Sequence, residues 1–107
     1  MAGASNLVLL DLTEESLIET AQLCQKEGAK VRTSPCDVGA TQQVDNVIRS
    51  LESTEGRVDI LVNCAGICGS KPILHENFDS MWRDMNINFG GVWFSSFCQK
   101  LTDNCSL

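Results

Sequence analysis

The stretch from Val58 to Gly66, V-D-I-L-V-N-C-A-G, constrains this chain more than any other. Ile60, Leu61 and Val62 are consecutive apolar residues that give way abruptly to Asn63, Cys64, Ala65 and Gly66. An apolar run of strand length, without polar alternation, suits a parallel strand covered on both faces. The carboxyl end of such a strand is where open α/β sheets bind ligands. Small residues there let a flat ligand come close to the backbone.

The residues before it supply the other layers. Asn6 to Leu10, N-L-V-L-L, reads as a short buried strand that stops at Asp11. Thr13 can cap a helix whose first turn carries Glu14 and Glu15, where carboxylates favour the positive end of the helix dipole. Leu17, Ile18, Ala21 and Cys24 then recur at helical spacing, and Gly28 closes the helix. Lys30 to Val38 predicts a second strand, with Pro35 marking a sheet edge or a strand end because it cannot donate to a ladder. Val44, Val47, Ile48 and Leu51 form the stripe of a second helix that ends near Gly56.

Strand, helix, strand, helix, strand in that order, with short loops, predicts parallel strands joined by right-handed crossovers. The fold class is α/β. After Gly66 a loop with Gly69 and Pro72 leads to a long helix from about Asn77 to Leu101, capped near Asn77 or Asp79. Phe78, Met81, Trp82, Met85, Phe89, Val92, Trp93 and Phe97 repeat along it at helical spacing. Gly90 and Gly91 inside it cost about 1 kcal/mol each relative to Ala. They predict either close approach of another backbone or ligand, or a break in the helix. Residues 1–101 read as one partial domain and 102–107 as an unstructured tail.

Charge and composition narrow the partners. Eight Lys and Arg against fourteen Asp and Glu give a net charge of -6 with no basic block, which argues against nucleic acid. No apolar run approaches the roughly 20 residues needed to span a bilayer, and nothing at Met1 resembles a signal peptide. The six cysteines include no C-x-x-C, and His75, the single histidine, has no partner at zinc-ligand spacing. Reduced thiols in the cytoplasm, and no metal, are therefore expected.

Four polar positions stand out at the ends of these elements. Asp11 and Asp37 each have two readings: a residue that opens a turn, or a carboxylate that accepts hydrogen bonds from a ribose diol. Asn63 closes the third strand. Asn88 falls on or beside the apolar stripe of the long helix, where its amide must find partners or cost about 1 to 3 kcal/mol. Acidic residues at strand ends also suit a receiver-like or flavodoxin-like domain, which leaves V-N-C-A-G followed by N-x-x-G unexplained.

Taken in order, L-V-L-L-D-L, C-D-V, V-D-I-L-V-N-C-A-G and N-I-N-F-G-G-V-W-F resemble the inner part of the short-chain dehydrogenase/reductase family. The resemblance covers about Gly3 to Gln99. It implies a partial Rossmann-like, doubly wound sheet holding strands two to four. It implies NAD as cofactor, with Asp11 binding the adenosine ribose and disfavouring NADP, and Asp37 and Val38 lining the adenine. Asn63, Ala65 and Gly66 would pass close to the nicotinamide side, and Asn88 would be the asparagine of the catalytic tetrad. Cys64 departs from the family's N-N-A-G.

Two family features are missing from these residues. No glycine-rich turn follows a first strand, and no tyrosine is present to serve in Y-x-x-x-K. The resemblance therefore implies a chain truncated at both ends, drawn from oxidoreductases that move hydride between nicotinamide and an alcohol or carbonyl, and inactive alone. A second expectation is an interaction module, forming a homo- or hetero-oligomer through helix 77–101. With the central strand absent, Ile60 to Val62 are expected to be buried, by default against Asn6 to Leu10.

Overall fold

The computed structural model describes residues 3–69 and 71–102. Packing divides the chain into two compact units, Met1–Asp37 and Val38–Leu107.

In the first unit, β1 (Asn6–Asp11) and β2 (Lys30–Pro35) pair in parallel, from Asn6 opposite Lys30 to Asp11 opposite Pro35. A parallel pair needs a crossover, supplied by a 3-10 turn at Glu15–Leu17 and α1 (Ile18–Lys26). Thr13 Oγ1 accepts from the Ser16 N–H at 3.4 Å while the Ser16 hydroxyl donates to the Thr13 carbonyl at 2.7 Å, but the N-cap positions are Glu14 for the 3-10 turn and Leu17 for α1, so Thr13 is not the helix cap that was expected. Gly28, at φ 90°, reverses the chain after α1, a conformation that L side chains rarely adopt. Of the expected face Leu17, Ile18, Ala21 and Cys24, Leu17 and Ala21 are buried and Cys24 is half-buried, while Ile18 is 52% exposed. Pro35 ends β2, and the next amide, Cys36 N–H, donates to the Asp11 carbonyl at 2.7 Å.

In the second unit, α2 (Thr41–Glu55) buries Val44, Ile48 and Leu51, one stripe at i, i+4 and i+7. Each such side chain contributes about 1.5 to 3 kcal/mol. Gly56, at φ 80°, ends the helix by donating its N–H to the Glu52 carbonyl at 3.1 Å. Across a loop with a 3-10 turn at Ile73–His75, Asn77 caps α3 (Phe78–Met85): its Oδ1 accepts from the Ser80 N–H at 2.8 Å. The expected long helix continues through a π-helical turn, Asn86–Gly91, into α4 (Val92–Thr102), which packs on α2. The tail expected at 102–107 lies outside the described residues except for Thr102.

One expected element is corrected. Among the described residues the sheet has two strands, β1 and β2, and Val58–Asn63 forms no strand. Ile60 is 77% and Val62 72% exposed, so the expected burial of this run does not occur. The physical reason lies in the ladder. In a doubly wound sheet this segment pairs with a central strand that these residues do not supply. Without that partner, no ladder bonds or covering layer offset the roughly 1 to 2 kcal/mol of backbone entropy per ordered residue.

Candidate functional site

The loop Asn63–Gly69 and the π-helical turn that follows α3 carry most of the candidate residues. Asn88 holds the loop by both ends of one residue. Its Oδ1 accepts from the Ile67 N–H at 2.7 Å and its Nδ2 donates to the Ile67 carbonyl at 2.6 Å. The amide expected on an apolar stripe is exposed, and both of its polar atoms bond the Ile67 backbone. Gly66 eases this approach, since a Cβ there would stand 3.3 Å from Asn88 Oδ1. Asn63 Nδ2 donates to the Ser96 hydroxyl at 3.3 Å, and that hydroxyl donates to the Val92 carbonyl at 2.8 Å. Cys64, Ala65 and Gly66 are exposed between these two anchors. The result is a stretch of backbone with small side chains, held at both ends.

The π-helical turn also meets the segment after β2. Val38 lies against Gly91, where a Cβ would come within 2.9 Å of Val38 Cγ2 and 3.2 Å of its carbonyl oxygen. Of the two expectations for the glycine pair, close approach of another backbone is therefore observed at Gly91. Asn86 Nδ2 donates to the Gly39 carbonyl at 3.0 Å.

In the first unit, Asp11 Oδ1 accepts from the Leu12 N–H at 2.7 Å, the turn-opening role that was one of its two readings. An ionised carboxylate with one such bond keeps acceptor capacity for a diol, and Asp11 is exposed. Asp37 is half-buried directly after Cys36. Cys36 is buried, and desolvation, with a smaller contribution from the Asp37 charge, pushes its thiol pKa above the ordinary 9.0.

Three residues that hold this geometry escaped sequence reasoning. Asp84 Oδ2 accepts from the Gly69 N–H at 3.0 Å and fixes the far end of the loop. Asn86 and Ser96 are the others. The repeated asparagine in N-I-N was a usable signal for Asn86, because two amides in one helical turn both need partners. Ser96 gave none, since a helical serine usually bonds its own backbone.

The sequence matches the short chain dehydrogenase family over residues 1–102, and the chain belongs to that family. It is 32% identical over 92 residues to the short-chain reductase protein NovJ of Streptomyces niveus, covering 85% of this chain and 35% of the relative. It is 35% identical over 89 residues to the oxidoreductase UcpA of Escherichia coli strain K12, covering 83% and 34%. An NAD+-bound xylitol dehydrogenase superposes with a TM-score of 0.82 at 27% identity, over 92% of this chain and 40% of that one. The L-sorbose reductase of Gluconobacter frateurii, complexed with NADPH and L-sorbose, gives 0.79 at 26% identity, over 91% and 37%. The chain thus spans about a third of the length of these curated relatives and about two-fifths of these solved structures. The superpositions match the α/β class and the partial Rossmann-like arrangement.

NAD(P) is the cofactor bound in these solved relatives, and the residues present fit its nucleoside ends only. Asp11 offers an exposed acceptor for a ribose, and Cys64 to Gly66 offer backbone that a flat ring can approach. The pyrophosphate is not fitted. The glycine-rich turn that gives the family its phosphate donors has no counterpart among these residues. Among the described residues, no group of three His, Cys, Asp or Glu could hold a metal ion. No described helix is long and apolar enough to cross a membrane.

Proposed function

We propose that this chain supplies cofactor-facing parts of an NAD(P)-dependent short-chain oxidoreductase, and that these 107 residues alone do not turn over. The observation that carries the reading is Asn88, which grips both polar atoms of Ile67 directly after V-N-C-A-G. That bond pair holds the loop, so Asn63, Ala65 and Gly66 stay available to the nicotinamide side. Asp11 accepts the hydroxyls of an adenosine ribose. Its charge opposes the 2'-phosphate of NADP, so NAD is the preferred form. Asp37 and Val38 border the adenine.

When bound, an oxidised nicotinamide would accept the hydride from an alcohol carbon while the hydroxyl proton passes to a base, and the reduced form would run the reverse with a carbonyl. No tyrosine exists among these residues to take that proton. The purified chain mixed with NADH and a panel of aldehydes and ketones should therefore show no substrate-dependent loss of NADH absorbance. Steady turnover would overturn the reading. The cysteine pattern supports a cytoplasmic setting.

A second reading rests on a separate observation. Phe78, Trp82, Phe89 and Trp93 are all exposed along α3, the π-helical turn and α4. Such a face supports association with another copy or with a longer relative. Light scattering at micromolar concentration should find a species larger than the monomer, and a strictly monomeric chain would exclude self-association.

A further inference from the structure

The π-helical turn Asn86–Gly91 contains more than Asn88. Asn86, two residues earlier, sends its Nδ2 to the Gly39 carbonyl at 3.0 Å, across 47 positions of sequence. Both glycines in the same turn serve that contact. A Cβ on Gly90 would stand 3.1 Å from Asn86 Oδ1, so Gly90 leaves room for the Asn86 amide to lie back along the turn. Gly91 leaves room for Val38, whose Cγ2, Cβ and carbonyl oxygen would all lie within 3.2 Å of a Cβ there. Gly91 is itself buried.

We infer that Asn86 is a positioning residue: with Gly90 and Gly91 it fixes the turn Val38–Ala40, and through Val38 it sets affinity for the adenine end of a nucleotide. The last part rests on the cofactor reading above. The carbonyl of Gly39 has a direct amide donor and Val38 is pressed onto a glycine, and these add to the bonds that the Ala40 carbonyl accepts from the Gln43 and Val44 N–H groups at 2.9 and 3.2 Å. Asn88 does the same for Ile67, on the other side of the π-helical turn. A wide turn suits this double task, because one extra residue re-aims successive side chains that a regular α-helix would send elsewhere.

The test uses the full chain with Asn86→Ala and, as a matched control, Asn88→Ala, each checked for helix content by circular dichroism. Amide exchange resolved by residue should rise about five-fold at Val38 to Ala40 in Asn86→Ala, the size expected for one lost neutral hydrogen bond, while Ile67 to Gly69 stay unchanged. Asn88→Ala should give the reverse pattern. Titration with 5'-AMP should show a similar loss of affinity, about five-fold, in Asn86→Ala. Unchanged exchange at Val38 to Ala40 overturns the inference. Raised exchange with unchanged 5'-AMP affinity overturns the nucleotide part of it. If the unaltered chain binds neither 5'-AMP nor NAD+, the cofactor reading fails, and the exchange pattern still decides whether Asn86 holds the turn. Should Asn86→Ala lose its helices, Asn86→Asp replaces it: a carboxylate facing the Gly39 carbonyl should loosen the same turn, and an unaltered turn overturns the inference.

Discussion

β1 and the segment Val58–Asn63 are built from the same kind of residues and reach opposite ends. L-V-L-L in β1 lies in a ladder with β2, and Leu7 to Leu9 are half-buried. I-L-V in the later segment forms no strand, and Ile60 and Val62 point into solvent. Composition does not separate them. The partner does: β1 meets a neighbour about twenty residues away across one helix, whereas the later segment depends on a strand that these residues do not contain. A strand is thus a property of a pair.

The largest effects should test this difference directly. Leu17, 6% exposed, backs the crossover between β1 and β2. Leu17→Ala should cost about 2 to 5 kcal/mol in urea denaturation, and Ile60→Ala should stay within about 0.5 kcal/mol. A comparable loss at Ile60 would mean that the third strand forms in solution after all, and the comparison would collapse.

Gly91→Ala should come next. Its Cβ meets both the side chain and the backbone of Val38, so overpacking of about 1 to 3 kcal/mol outweighs the roughly 1 kcal/mol of helix propensity gained. Gly90→Ala should be milder, because the atom it meets is the end of the Asn86 side chain. Equal and small effects would show that the π-helical turn is not tied to Val38 as described.

Cys36 should give a smaller effect with a definite sign. Its folded pKa is raised above 9.0 by burial, with Asp37 adding to it. The unfolded thiol therefore releases its proton first as pH rises. This contribution is fully present below pH 9.0 and is lost between that value and the folded pKa. Cys36→Ala should flatten the alkaline fall in stability. At neutral pH, exposed Cys64 and Cys68 should react with iodoacetamide well before buried Cys36. Cys36 labelling at the same rate would mean that the end of β2 opens readily.

The legible parts of this molecule were those decided within a short stretch of chain. β1, β2, the stripe Val44, Ile48 and Leu51, and the stops at Gly28, Pro35 and Gly56 all followed from period, caps and breakers. The Asn77 cap followed likewise, and the four motifs in register led to the family. The sequence misled at Val58–Asn63, because an apolar run reports what a segment can become, while pairing depends on chain elsewhere. At the site, Asn88 was singled out as an amide in need of partners, yet its partner could not be named, because a residue 21 positions earlier is brought near only by the loop. Asp84, Asn86 and Ser96 stayed hidden for the same reason. Each bonds a group whose position depends on the whole turn.

The stacked rings of the helical face also matter for what can be watched. Phe78 lies on Trp82 with centroids 6.1 Å apart, and Trp93 on Phe97 at 5.3 Å. Both tryptophans of the sequence are in these pairs and no tyrosine competes with them. Ultraviolet emission from this chain therefore comes from α3 and α4 alone. A blue shift on mixing with a partner would report that face being covered, while the strands of the first unit could melt unseen.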